Sequence, residues 1–122
     1  MTAVPQDALH DLAPAGRLRV AINLGNPVLA QTDPATGSPA GVSVELAQNL
    51  GRRLGVPVDL ATFDAAGKAF DAFKRGELDL VFLAIEPVRA NEIAFTPPYV
   101  LIEGVFVVPA GSNLHSMACV VK

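Results

Sequence analysis

The chain has 122 residues, 51% hydrophobic and 17% charged, which is enough for one hydrophobic core and too short for two ordinary domains. The net charge of −3 and the scattered basic residues exclude the basic surface of a nucleic-acid-binding protein and favour a small ligand. A single cysteine, Cys119, excludes an internal disulfide framework and a multi-cysteine metal site.

The apolar segments are all too short to cross a membrane, since none approaches the roughly 18 residues that a spanning helix needs. Residues 1–16 also lack the basic start and the apolar stretch of a secretory signal. These features predict no membrane insertion and a cytoplasmic location for the chain as written.

Apolar periodicity, separated by turn and capping signals, predicts six elements. In chain order they are a short helix over 5–12, a strand over 17–23, a helix over 43–54, a strand over 57–63, a helix over 64–76 and a strand over 80–85. Ser43 and Asp64 are the predicted N-caps of the two longer helices. Gly55 and Gly76 supply the left-handed positions that end them.

The spacing of large apolar residues predicts which faces of the two longer helices are buried. Leu46, Leu50 and Leu54 share one face of the first, and Phe70 and Phe73 share one face of the second. We therefore expect all five side chains to lie in the core.

The alternation of strands and helices predicts an α/β fold with a mainly parallel sheet covered by helices on both faces. Its last strand, over 80–85, is apolar throughout, as in strands that are covered on both faces. Pro87 ends that strand, and Glu86 and Arg89 place charge just past its carboxyl end. Because ligands of open α/β sheets bind at this edge, the sequence predicts a ligand site there.

Three segments of the chain resemble, in order and spacing, the first lobe of the extracellular solute-binding proteins of family 3, the amino-acid receptors of ABC transporters. They are RLRVAINLGNP (17–27), GVSVELAQNLGRRLGVPVDLATFD (41–64) and FKRGELDLVFLAIEPVRANEIAFTPPY (73–99). The resemblance implies a truncated three-layer lobe of the periplasmic-binding-protein-like II fold. It divides the chain into an N-terminal extension (1–16), a lobe (17–111) and a C-terminal tail (112–122).

The resemblance also implies a site centred on Arg89, which occupies the place of the family's carboxylate-binding arginine before EIAFT. A guanidinium suits a carboxylate because its planar donors bind both oxygens. Phe82 and Ala84 stand where two site serines are common, so the backbone carbonyl of Phe82 and the backbone amide of Ala84 are left to bond a ligand. Glu86 belongs to the same predicted ligand-binding set, and no metal or cofactor is predicted.

The remaining predicted ligand-binding residues are Asn23 and Asn26, in a loop that often carries an acidic and an aromatic residue in the family. They either orient a polar ligand or simply form turns, because asparagine readily bonds its own backbone. Arg89 has an alternative partner as well, since Glu86 or Glu92 could pair with it on the surface.

The predicted function is weak binding of a small carboxylate or amino acid, with an ABC transporter permease as an implied partner and the periplasm as the family's usual location. One alternative is a self-associating protein without a ligand, in which residues 100–108 exchange between the two copies of a homodimer. A lesser alternative is a relative of cyclohexadienyl dehydratase in which Glu86 is a general acid.

Overall fold

The computed structural model describes residues 4–116, in which short and long elements alternate along the chain. In order they are α1 (Gln6–Leu12), β1 (Leu18–Asn23), β2 (Gln31–Thr32), β3 (Pro39–Ala40), α2 (Val42–Leu54), β4 (Val58–Phe63), α3 (Ala66–Lys74), β5 (Leu80–Val81) and α4 (Pro87–Ala90). The predicted helix near the amino terminus and the predicted order of strands and longer helices are confirmed. Part of the predicted tail, including Cys119, lies outside the described residues.

A three-stranded parallel sheet with β1 at its centre organises the chain. Strand β4 pairs with β1 along its whole length, from Leu18 opposite Val58 to Asn23 opposite Phe63. On the other side, β5 pairs with β1 in parallel over two residues. Strands β2 and β3 form a separate antiparallel hairpin. The predicted parallel arrangement is therefore confirmed.

Alternation along β1 sends its side chains into two cores, one on each face of the sheet. Leu18, Val20 and Ile22 pack with buried residues of α2, whereas Ala21 packs with buried alanines of α3. Leu9 and Leu12 of α1 also pack against the first core. Helices thus cover both faces, and the fold is the three-layer α/β arrangement that the sequence predicted.

Small residues decide how α2 lies on the sheet. Its buried side is formed by Ser43, Val44, Ala47, Gly51 and Leu54. The prediction that Leu46 is buried is wrong, because its side chain is 40% exposed. A Cβ at Gly51 would overlap the Val58 side chain, so the helix approaches the sheet on its small residues rather than on a row of leucines.

The start of α2 also differs from the prediction, since its N-cap is Gly41 and not Ser43. Ser43 is buried, and its backbone N–H donates to the Leu29 carbonyl at 3.0 Å. Gly41 has a φ of 125°, and a Cβ there would lie 2.6 Å from the same carbonyl oxygen. Only glycine tolerates both this positive φ and the close approach to Leu29. The contact with Leu29 therefore determines where the helix begins. Its end is as predicted, with Gly55 left-handed at φ 73°.

The N-cap residue of helix α3 is Ala65 and not Asp64, so no side chain caps the start of this helix. The Asp64 carboxylate instead pairs with Lys68, one turn along the helix, at 2.8 Å. The hydrogen bond and charge of Lys68 lower the pKa of Asp64. After the helix, Gly76 is left-handed at φ 80°, as predicted.

Strand β5 is shorter than the predicted strand over 80–85. It is an edge strand with β1 on one side only, and its pairing ends at Val81. Beyond it, Phe82 packs against the first core and meets Tyr99 edge-on at 5.8 Å, whereas Ala84 and Ile85 are exposed. The apolar composition predicted a strand covered on both faces. The length of a strand also depends on its neighbours, and the described chain supplies β1 as the one neighbour of β5.

The apolar residues 100–108 have no regular secondary structure in the described chain. Most of their large side chains are exposed, to 86% at Leu101 and 90% at Val107. No backbone hydrogen bond among the described residues involves this segment. It therefore presents both apolar side chains and unpaired backbone groups to solvent.

A partly buried ion pair ties the start of β5 to β1. The Asp79 side chain is 5% exposed and receives hydrogen bonds from the Arg19 backbone N–H (2.9 Å), Nε (3.0 Å) and Nη2 (2.8 Å). The Asp79 backbone N–H donates back to the Arg19 carbonyl at 2.8 Å. Burial opposes ionisation of Asp79, but the hydrogen bonds and charge of Arg19 outweigh it and lower the pKa of the carboxyl.

Two glycine substitutions test the close approach of α2 to the sheet. We expect Gly51→Ala to lower the free energy of unfolding by about 1–3 kcal/mol, because its Cβ overlaps Val58. Gly67→Ala in α3 is the matched control, since nothing lies within 4 Å of its Cβ, and it should raise stability by about 0.5 kcal/mol. Urea denaturation measures both, and equal effects of the two substitutions would contradict the packing argument.

The Asp79 ion pair predicts a specific acid sensitivity. Because the folded-state pKa lies below the unfolded value near 3.9, its stabilisation is complete above about pH 4 and is lost as the pH falls through the folded pKa. Asp79→Asn should lower the free energy of unfolding by about 2 kcal/mol at pH 7 and reduce its fall below pH 4. Asp11→Asn, at an exposed carboxylate of α1, is the control. Parallel wild-type and Asp79→Asn stability curves in acid would refute this assignment.

Candidate ligand-binding site

The carboxyl edge of the sheet brings three loops together. They follow β1, β4 and β5, which end at Asn23, Phe63 and Val81. The first two loops approach closely, because a Cβ at Gly25 would lie 3.1 Å from the Asp64 carbonyl oxygen. Helix α4 follows β5 along the chain, and its Arg89 reaches Phe70 of α3.

Arg89 lies on α4 with its side chain only 17% exposed. Its Nε is 3.5 Å from Oε2 of Glu86, one turn earlier, and its Cζ is 5.7 Å from the centroid of the Phe70 ring. Within residues 4–116 the guanidinium makes no side-chain hydrogen bond. None of its nitrogens is both buried and unpaired, so each has some exposure to solvent. Its donors are therefore accessible to solvent and to a ligand.

The pairing of Arg89 with Glu86 is the alternative that the sequence left open, and the structure shows it. Glu86 is 53% exposed, and the 3.5 Å separation is longer than a charge-assisted hydrogen bond. Exposed pairs of this kind contribute little stability. The contact orients Arg89 without saturating it.

Sequence reasoning missed Phe70 and Lys74 as neighbours of this site. Phe73 packs against the second core as predicted, but Phe70 lies outside both cores. Its ring lies 4.5 Å from Nζ of Lys74, which also pairs with Glu92 at 3.2 Å. The signal in the sequence was the four-residue spacing of Phe70 and Lys74, which places them one above the other on a helix.

The charges around Phe70 include more acidic than basic side chains. Arg89 and Lys74 are the cations, and they pair with Glu86, Glu92 and, at 3.9 Å, Asp71. A bare anion would meet these carboxylates as well as the guanidinium. A ligand that also carries positive charge matches the arrangement better.

Asn23 and Asn26 use their side-chain oxygens to form turns. The Gly25 N–H donates to Oδ1 of Asn23 at 2.9 Å, and the Val28 N–H donates to Oδ1 of Asn26 at 3.2 Å. The turn interpretation therefore holds for both oxygens, which leaves the amide nitrogens for any ligand.

The structure does not bring all the predicted site residues into contact. Among the described residues, no side-chain hydrogen bond, ion pair or ring contact joins Arg89 to Asn23, Asn26, Phe82 or Ala84. The Phe82 ring turns towards the first core and Tyr99, away from any polar role. Within residues 4–116, Glu86 and Arg89 are the members of the predicted set that an ion pair joins.

The site is an open edge rather than an enclosed cavity. Two concavities of the described chain, of about 260 and 510 Å³, lie elsewhere, beneath α1 and against residues 104–116. In residues 4–116 no group of three or more His, Cys, Asp or Glu side chains is placed to hold a metal ion. None of the helices in this part of the chain has the length and apolar character to span a membrane.

Comparison with known proteins places this chain in one family. Residues 18–117 match the bacterial extracellular solute-binding proteins, family 3. The chain belongs to this family. The resemblance of the three segments is thereby confirmed, and solute binding is the family's described activity. A search of the curated proteins found no match.

Solved structures show the same fold in amino-acid-binding members. An ancestral cationic amino acid solute-binding protein, also described as a precursor of cyclohexadienyl dehydratase, is 25% identical with a TM-score of 0.66. A truncated ArgBP from T. maritima in its arginine-bound form is 25% identical with a TM-score of 0.64. Domain 1 of that protein, as an arginine-bound Phe57Trp mutant, is 23% identical with a TM-score of 0.66.

The coverage of these structures shows that the family-3 lobe described here is one part of a longer architecture. The first match covers 76% of this chain and 41% of the ancestral protein, and the second covers 71% and 41%. Against domain 1 alone, the shares are 75% and 71%. The chain therefore corresponds to a partial lobe of its two longer neighbours.

Proposed function

We propose that this family-3 lobe binds a small amino acid, with the ligand's α-carboxylate on Arg89. The observation that carries the proposal is an Arg89 side chain that is only 17% exposed, keeps accessible nitrogens and makes no side-chain hydrogen bond within the described chain. Most of the entropy of ordering the Arg89 side chain is lost on folding, so less is lost when a ligand binds. A carboxylate would complete its hydrogen bonding bidentately.

The ligand class follows from the surrounding charge. Because carboxylates outnumber cations around Phe70, an amino acid with its positive α-ammonium group fits better than a simple organic acid. The described ligands of two neighbours, cationic amino acids and arginine, support the same class. Arginine is therefore the first ligand to test.

The other predicted residues have secondary roles in this proposal. The Asn23 and Asn26 amide nitrogens can donate to the ligand because only their oxygens are used in turns. The Phe82 carbonyl and the Ala84 amide contribute backbone groups, and Glu86 faces the ligand's ammonium group. Binding through this one open edge is weak, because water reaches every contact.

The proposal is for binding and not for catalysis. Glu86, the candidate general acid, is 53% exposed and faces Arg89 on an open edge. Such a position does not exclude water from a reacting group. An ABC transporter permease is the proposed partner. The family is extracellular by its description, and a cytoplasmic location for this chain stays a prediction.

Arg89→Ala tests the binding proposal. We expect the wild-type chain to bind arginine or another amino acid in titration calorimetry at ligand concentrations up to roughly 10 mM. Arg89→Ala should weaken binding at least about tenfold, because a bidentate charged contact is lost.

Arg53→Ala is the matched control for this titration. It removes the same charge from the exposed last turn of α2, outside the group of charged residues around Phe70, and should leave the affinity unchanged. Lack of binding by the wild type, or equal weakening by the two substitutions, would reject Arg89 as the carboxylate site.

A second candidate function is self-association through residues 100–108. Their exposed apolar side chains and unpaired backbone groups favour strand addition by a second copy. The concavity of about 510 Å³ against residues 104–116 adjoins this segment. A homodimer formed in this way needs no ligand.

Solution mass tests this second candidate. We expect light scattering to show a dimer with and without reductant, and Val105→Lys combined with Val107→Lys to shift it to monomer, because two charges disrupt an apolar strand contact. Val28→Lys, at a 79% exposed site in another loop, is the control. A monomeric wild type across the concentration range, or a dimer seen only without reductant, would dismiss association through this segment.

A further inference from the structure

The Phe70 ring contacts both basic side chains beside the proposed site. Nζ of Lys74 lies 4.5 Å from the ring centroid and Cζ of Arg89 lies 5.7 Å from it. Both distances are within the range in which a ring attracts a cation. Phe70 is half-buried, yet it belongs to neither core.

Each of these cations also faces a carboxylate, but the two pairs differ. Lys74 is 3.2 Å from Glu92, a normal ion-pair distance, whereas Arg89 remains 3.5 Å from Glu86 and makes no hydrogen bond to it. Glu86 is only three residues from Arg89 and more than half exposed, so it is free to approach. The guanidinium contacts the Phe70 ring as well.

We propose that Phe70 is a positioning residue that keeps Arg89 from closing onto Glu86. A ring contact and an exposed ion pair are of similar strength, so the ring is sufficient to shift the balance between them. The guanidinium donors then stay available for a carboxylate. This inference rests on the proposed function of Arg89, and it adds a residue of α3 to a site otherwise formed after β5.

The mechanism makes Glu86 an internal competitor for the same donors that the ligand needs. Without the ring, Arg89 approaches Glu86 and the ligand carboxylate has to displace it. The cost of losing Phe70 therefore depends on Glu86. A merely structural role of Phe70 would not depend on the charge of Glu86.

The affinity test compares Phe70→Leu with Phe73→Leu, the same change on the same helix. We expect Phe70→Leu to raise the Kd for arginine about three- to tenfold. Phe70→Trp should keep the Kd near the wild-type value, because tryptophan has the strongest ring attraction for cations. Phe73→Leu should lower thermal stability but leave the Kd within about twofold. Equal loss of affinity in the two leucine variants would overturn the inference.

Glu86→Gln separates competition from general disturbance. In that background, Phe70→Leu should have little further effect on the Kd, because glutamine no longer attracts the guanidinium. An undiminished loss would overturn the mechanism.

A ligand-independent measurement keeps this inference separate from the binding proposal. In NMR spectra of the wild-type chain, side-chain signals of Arg89 and Lys74 should show ring-current shifts that disappear in Phe70→Leu and persist in Phe73→Leu. Absence of these shifts overturns the role of Phe70 even if Arg89 binds ligand. If the shifts are present but Arg89→Ala binds ligand normally, only the binding proposal is rejected. If no ligand binds the wild type, the NMR result alone decides whether Phe70 contacts Arg89.

Discussion

The partly buried Arg19–Asp79 pair is the constraint on which the sheet edge depends. Strand β5 pairs with β1 over two residues only, which is too little to fix the segment that follows it. The Asp79 carboxylate receives three hydrogen bonds from Arg19, and the Asp79 amide returns one to the Arg19 carbonyl. A buried carboxylate that lost these partners would be strongly unfavourable, so the start of β5 is held in one register.

Close packing of small residues complements this electrostatic constraint. Gly51 lets α2 approach Val58, and Ala21 meets alanines of α3 on the opposite face. How closely these helices approach the sheet therefore depends on small side chains as well as on large ones. The register set by Arg19 and Asp79 and the spacing set by these small residues together position the loops at the carboxyl edge.

Much of this fold could be predicted from sequence because the apolar periodicity and the turn signals agree along β1, α2, β4 and α3. Gly55 and Gly76 end their helices as predicted, since a left-handed residue is a local requirement. The start of α2 could not be predicted, because Gly41 answers a contact with Leu29 that is distant in sequence. The length of β5 depends in the same way on a neighbouring strand that local composition does not specify.

The candidate site was predictable only in part, for a related reason. The position of Arg89 follows from its place after the last strand, and its contact with Glu86 follows from their spacing. The position of Phe70 does not, because the helical period assigned it to the core together with Phe73. Which of two aromatics on one face reaches the core depends on how the helix rotates around Ala69 and Ala72. That rotation is a tertiary property.

The Arg19–Asp79 pair lies at the amino end of the strands, whereas Glu86, Arg89 and Glu92 lie beyond the carboxyl end of β5. The charges contributed by residues 86–92 are therefore encoded apart from this ion pair, although Asp71 and Lys74 of α3 also contribute to the charge pattern. Substitutions within residues 86–92 can change what this edge recognises while the determinants of folding stay intact. The lobe is in this sense a scaffold whose selectivity can evolve by exchange of one short, separately variable stretch.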